Sequence, residues 1–144
     1  MGMFGGSSKQ KASYDEADLL LTAALLAVAS DGGIDEQEQA ALVNLCFSYP
    51  KLKNAMDIGE KIKENSERLV KAMQNDTLEV ILKEFTSIDE SLKKQCLMIA
   101  MEGALANGEV VEKEEQFLEN FKNIMQLDDD YAAKMSEIIT LRYQ

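Results

Sequence analysis

Histidine and tryptophan are absent from this chain of 144 residues, which also has only one proline and two cysteines. Without histidine, the chain lacks the usual general base and the commonest transition-metal ligand. Ser-His-Asp and Cys-His mechanisms are therefore excluded. Cys46 and Cys96 form no CxxC pair and lie in apolar helical patterns, so we expect two reduced core residues and a cytoplasmic protein.

Long hydrophobic runs and basic residues are also scarce. The longest apolar run, Leu19–Ala29, is interrupted by Thr22 and is shorter than the ~20 residues that span a bilayer, which favours a buried central helix. Residues 1–13 lack the apolar core of a signal peptide and are predicted to be a flexible lead-in to one domain, residues 14–144. The net charge of −11 disfavours nucleic acid and anionic lipids as partners and favours cations or basic proteins.

Apolar residues recur at helical spacing along the rest of the chain, and no strand pattern competes with them. The predicted helices are residues 14–30, 35–48, 53–74, 76–87, 89–106, 111–126 and 129–142. Pro50 is expected to prevent helix continuation, and Ser87 with Glu90 has the spacing of a capping box. We therefore expect an all-α protein, a single bundle of about seven helices.

An internal repeat appears when the chain is shifted along itself so that Leu21–Leu45 falls on Leu97–Phe121. A helix, a glycine turn and a second helix then occur twice. The matching pairs include Leu21/Leu97, Ala24/Ala100, Gly32/Gly108, Glu36/Glu112, Glu38/Glu114, Leu42/Leu118 and Asn44/Asn120. The pattern predicts two pseudo-symmetric helical hairpins, with the middle helices wrapped around them.

The first glycine turn, "ASDGGIDEQE" from Ala29, invites comparison with the calcium loop of an EF-hand. Asp31, Asp35 and Glu38 would take later ligand positions, but the first two ligand positions would fall on Ala27 and Ala29. A standard EF-hand is therefore not expected.

Helix capping is the ordinary explanation for most of this turn. The glycines would end one helix, and Asp35 would cap the next with Glu38 completing a capping box. In the second copy the cap position is Val111, yet Glu114 is still present. Capping therefore does not explain the second glutamate.

Two other carboxylates lack an obvious local counter-ion. Asp31 would face the negative end of a helix dipole, and no lysine or arginine occurs between Tyr14 and Pro50. Glu102 has uncharged helical neighbours, and its simpler interpretation is a side chain that points outward into solvent.

Convergence of the two hairpins would gather an oxygen-only cluster suited to Ca²⁺, Mg²⁺ or Mn²⁺. The candidate ligands are Asp31, Glu38, Asn107 and Glu114, with Asp35 and Glu102 nearby. The alternative is a solvated acidic face without metal. Elsewhere, the apolar stripe within Phe117–Met125 is expected to be core rather than a partner groove, and Asp128–Asp130 to cap the last helix.

The segments "LLAVASDGGIDEQEQAALVNL" and "IAMEGALANGEVVEKEEQFLENFKNIMQL" resemble the two halves of a TerB-like domain. This family is named for the bacterial tellurite-resistance protein TerB and includes a domain of DjlA. The resemblance covers about Tyr14–Gln144 and implies an all-helical domain of bacterial stress and tellurite-resistance systems, with acidic residues proposed to bind divalent metal and no established catalysis. The family motif falls on Asp31, Glu38, Asn107 and Glu114, although Asn107 replaces the usual aspartate.

These patterns together predict a non-enzymatic module that binds a divalent cation and acts as a sensor or scaffold in a stress-response assembly, without an organic cofactor. A metal-free interaction domain that binds a basic partner is the main alternative. A metal-dependent hydrolase is a third, less favoured because helical carboxylate sites of that kind usually include histidine. Direct binding of tellurite is not expected, because an oxyanion is repelled by a charge of −11.

Overall fold

The computed structural model describes residues 15–29, 36–54, 57–105 and 112–142, apart from the side chains of Gln37 and Glu38. Within these ranges the chain forms eight α-helices and no strand, which confirms the all-α helical bundle. The helices are α1 (Glu16–Ala29), α2 (Glu36–Cys46), α3 (Pro50–Lys53), α4 (Ile58–Gln74), α5 (Leu78–Lys83), α6 (Glu90–Leu105), α7 (Glu112–Ile124) and α8 (Asp129–Arg142). Among the described helices, none has the length and apolar character needed to cross a membrane.

The predicted helix 53–74 begins later in the structure, and a short helix that was not predicted precedes it. Pro50 is the first residue of α3. Its fixed φ suits the start of a helix, and the backbone N–H that it lacks would have no intrahelical partner at this position. A separate helix, α4, begins after Asp57, which has a left-handed φ of 53°. The unpredicted helix α3 is the reason that the described chain has eight helices where seven were predicted.

The predicted capping box before α6 is also wrong. The Oδ1 atom of Asp89 accepts a hydrogen bond of 2.8 Å from the backbone N–H of Leu92, so Asp89 takes the place predicted for Ser87. The prediction that Asp128–Asp130 caps α8 agrees better with the structure, because Oδ1 of Asp128 accepts a hydrogen bond from the backbone N–H of Asp130.

Helix α1 lies at the centre of the bundle. Twelve of its fourteen residues are buried, and a helix that is apolar on all sides must be covered on all sides. It packs mainly against α6 and also against α4, α3 and α7. Phe85 and Phe121 complete the core with an edge-to-face contact, their ring centroids 4.9 Å apart.

Helices α1 and α6 run parallel. Near their N-terminal ends, Lys51 of α3 contacts both helices: its Nζ lies 2.8 Å from Oε1 of Gln95 and 3.8 Å from a carboxylate oxygen of Glu16. Near their C-terminal ends, Gly103 of α6 lies against Ala24 and Val28 of α1. Both helices therefore end at the same end of the pair.

The internal repeat is visible in the helix boundaries. The shift that places Leu21 on Leu97 also places the last residue of α1, Ala29, on the last residue of α6, Leu105. The same shift superposes the first residues of α2 and α7. The packing is reciprocal as well, because α7 contacts α1 while α2 contacts α6. The helix boundaries and packing of the two halves therefore agree with the predicted repeat, and its first helices, α1 and α6, form the centre of the fold.

Candidate acidic site

Six residues were predicted as metal ligands or their neighbours, and the structure describes the side chains of two. These two are Glu102 and Glu114; Asp31, Asp35 and Asn107 lie outside the described residues, and so does the side chain of Glu38. Among the side chains that are described, no group of three or more acidic or cysteine residues could hold a metal ion. The complete ligand set therefore stays a prediction.

Glu102 points into the protein rather than into solvent. It is 1% exposed, so the interpretation of an outward side chain is wrong. Its Oε1 accepts a hydrogen bond of 2.6 Å from the hydroxyl of Tyr49, and its Oε2 lies 3.3 Å from Nη1 of Arg142. A buried carboxylate requires such charge-assisted bonds, and α6 itself offers no cation nearby.

The two partners of Glu102 differ in their exposure to water. Tyr49 is buried in the turn before α3, whereas the side chain of Arg142, the last residue of α8, is 57% exposed. These partners are 53 and 40 residues from Glu102 in the sequence. No local pattern connects residues at such separations, so inspection of the sequence missed both.

Glu114 is the second buried carboxylate of the predicted set. It lies in the first turn of α7 with Glu112 and Glu115, a position at which the helix dipole favours acidic residues. Its neighbours Glu112 and Glu115 are exposed, whereas Glu114 is only 2% exposed. The dipole favours a carboxylate at this position but does not require its burial.

A different buried ion pair, which the sequence did not indicate, joins the N-terminal end of α1 to α4. Oδ2 of Asp18 accepts a bond of 2.8 Å from Nζ of Lys61, and Oδ1 accepts one of 2.9 Å from the amide of Asn65. Burial raises the pKa of Asp18, but the hydrogen bonds from Lys61 and Asn65 outweigh it and lower this pKa below 3.8. Conversely, burial lowers the pKa of Lys61, and its bonds to Asp18 outweigh that effect.

This pair of Asp18 and Lys61 is structural. Each oxygen of the carboxylate accepts a hydrogen bond, and the pair lies at the opposite end of α1 from the glycine turn. It fixes α4 against the central helix.

Both cysteines are free and buried, as predicted. Burial raises the pKa of Cys46 to about 11 and that of Cys96 to about 12. Burial therefore keeps both thiols in the protonated form near neutral pH, and the thiolate is the nucleophilic form.

Comparison with known proteins adds no relative: no protein-family model, curated protein or solved structure matches the chain. The resemblance of its two glycine-turn motifs to the TerB-like family therefore stays a prediction.

Proposed function

We propose that the protein is a non-enzymatic TerB-like module that binds a divalent cation and acts as a sensor or scaffold in a stress-response assembly. The proposed ligands are Asp31, Glu38, Asn107 and Glu114, and the proposed cation is Ca²⁺, Mg²⁺ or Mn²⁺. The observation that supports the proposal is the burial of Glu114, which is 2% exposed although Glu112 and Glu115 of the same helical turn are exposed.

The arrangement of the repeats supports a shared site. Because α1 and α6 are parallel and end together, the two glycine turns follow from the same end of the helix pair. Asp31 and Asn107 each come two residues after these helix ends in the sequence, at Ala29 and Leu105. Two equivalent acidic motifs that begin from one end of a bundle are a suitable source of oxygen ligands for one hard cation.

Glu102 has a different place in the proposal. Its two oxygens contact Tyr49 and Arg142, so we assign it the role of supplying negative charge near the site rather than a direct bond to the cation. Non-enzymatic binding fits the residue types, because the chain has no histidine and both thiols are buried and protonated.

Isothermal titration calorimetry with Ca²⁺, Mg²⁺ and Mn²⁺ tests the proposal. We expect saturable binding to the wild type, and its loss in Asp31→Asn/Glu38→Gln and in Glu114→Gln. The matched control is Glu112→Gln/Glu115→Gln, which removes two exposed carboxylates from the same helical turn and should keep binding. At a metal concentration 100 times the Kd, the cation should also stabilise the fold by about 2.7 kcal/mol.

Two results would contradict the proposal. One is the absence of binding to the wild type at about millimolar metal. The other is an equal loss of binding in the control, because that would indicate a general attraction of cations to a chain of charge −11 rather than a defined site.

A further inference from the structure

A groove of about 700 Å³ lies between α6, α7 and α8. Its apolar lining consists of Met101, Leu105, Leu118, Ala132 and Ala133. The apolar stripe within Phe117–Met125 was predicted to be core, and its residues Phe121 and Met125 are indeed buried. Leu118, in contrast, is half-buried: it packs against the core and also lines the groove.

The charged residues of the groove are mostly acidic. Glu115, Glu119 and Asp129 line it together with one cation, Lys122, so their net charge is −2. The Nζ of Lys122 donates to Oε1 of Glu119 at 2.8 Å and also to Asp129, and these carboxylates raise the pKa of its ammonium. Lys122 is therefore held by its own neighbours, and the groove presents a net negative charge to a ligand.

The groove is also elongated along α8. Its lining extends from Asp129 to Thr140, which corresponds to about 16 Å of helix at a rise of ~1.5 Å per residue. Between these residues, α8 contributes only the small side chains of Ala132, Ala133 and Ser136. Small residues on one wall allow the backbone of a second helix to approach closely.

We propose that this groove binds an amphipathic helix of another protein, with its apolar face against Leu118 and the α8 wall and its lysines or arginines facing Glu115, Glu119 and Asp129. An apolar floor within a charged rim matches the recognition of helices through apolar residues at positions i, i+3 or i+4, and i+7. Charge complementarity selects the occupant, because a second copy of this chain carries −11 itself and would be repelled. The inference gives the scaffold part of the proposed function a partner class, and it does not depend on the cation.

The test is fluorescence anisotropy of a labelled amphipathic peptide of about 18 leucine and lysine residues, measured with the full chain in chelator. A peptide with glutamate in place of lysine is the ligand control. Because the titration contains no free divalent metal, failure of the metal proposal leaves its result unchanged. We expect saturable one-to-one binding of the lysine peptide and none of the glutamate peptide.

Variants of equal charge locate the binding surface. Ala133→Trp fills the groove and should weaken binding about tenfold or more, whereas Ile138→Trp, at an exposed position of α8 outside the lining, should change it less than about twofold. Circular dichroism checks that both variants fold, and Ser136→Trp provides a second groove-filling change. Glu115→Gln should weaken binding more than Glu60→Gln, an equal loss of charge from the exposed face of α4.

Three outcomes would overturn the inference. Equal affinities for the Ala133→Trp and Ile138→Trp variants would place the peptide elsewhere on the acidic surface. A concentration-dependent dimer that the peptide dissociates would make a second copy the occupant. Several-fold tighter binding after Lys9→Ala/Lys11→Ala would indicate that residues 1–14 of this chain compete for the groove.

Discussion

The hydroxyl of Tyr49 should contribute measurably to stability through its bond to Glu102. The Tyr49→Phe substitution removes this one oxygen and keeps the aromatic ring, which is buried at 8% exposure. The lost interaction is a bond of 2.6 Å to a carboxylate that is 1% exposed. Hydrogen bonds to charged groups contribute about 1.5–3 kcal/mol, so we expect a loss of about 2 kcal/mol in the free energy of unfolding.

Arg142 provides a contrast, because it contacts the other oxygen of the same carboxylate. Its side chain is 57% exposed and lies 3.3 Å from Glu102, so water screens the attraction. We expect Arg142→Gln to cost less than about 1 kcal/mol. The difference between the two variants therefore measures the effect of burial on two bonds to one acceptor.

Urea unfolding at pH 7, followed by circular dichroism, is the appropriate assay, with equal m-values required before free energies are compared. A loss of about 2 kcal/mol corresponds to a fall of roughly 6 °C in Tm for a chain of this size. A double-mutant cycle with Glu102→Gln should give a coupling energy of about 1 kcal/mol or more between Tyr49 and Glu102. A smaller loss of stability in Tyr49→Phe than in Arg142→Gln, or the absence of coupling in the cycle, would contradict a stabilising bond between Tyr49 and Glu102.

Three further perturbations test other parts of the structure. Because the pKa of Asp18 is lowered in the folded state, its ionised form stabilises the fold above about pH 4, and this stabilisation is lost as the pH falls through the folded pKa. The difference in the free energy of unfolding between wild type and Asp18→Asn should therefore narrow in acid. A constant difference from about pH 7 to 3 would contradict this. Cys46 and Cys96 should react with a thiol reagent at pH 8 only at the rate of unfolding, and rapid labelling of the native protein would show that they are accessible. Gly103→Ala should stabilise the protein by up to about 1 kcal/mol through helix propensity, since its new Cβ would lie no closer than 3.5 Å to α1. Gly59→Ala on α4, where a Cβ meets nothing, is the matched control, and destabilisation by Gly103→Ala alone would mean that the helices pack more closely than observed.

The helices and the repeat could be predicted from the sequence because both depend on local, periodic patterns. Apolar spacing located seven of the helical regions, and the shift that defines the repeat matched the ends of α1 and α6. Helix α3 and its separation from α4 were missed, since the separation depends on Asp57 adopting a left-handed conformation, which aspartate does only occasionally.

The environment of the acidic residues could not be predicted in the same way. The sequence showed that Glu102 had no cation nearby on its own helix. It did not show that Tyr49 and Arg142 would contact Glu102 from two other parts of the fold. The same limitation applies to Asp18, whose partners on α4 are 43 and 47 residues away. Long-range pairs of this kind follow from the packing of helices, which a single sequence encodes without any local signature.

The repeat also bears on the reason that Glu102 is buried. The equivalent position of the first hairpin is Leu26, which is 5% exposed. The fold thus accepts an apolar side chain at this place in one half, and replacing buried ion pairs with apolar residues of similar volume is often neutral or stabilising. Stability alone therefore gives little reason for a carboxylate at position 102. Under the proposed function, the negative charge of Glu102 near the end of the bundle from which both glycine turns follow gives a reason for this difference between the two halves.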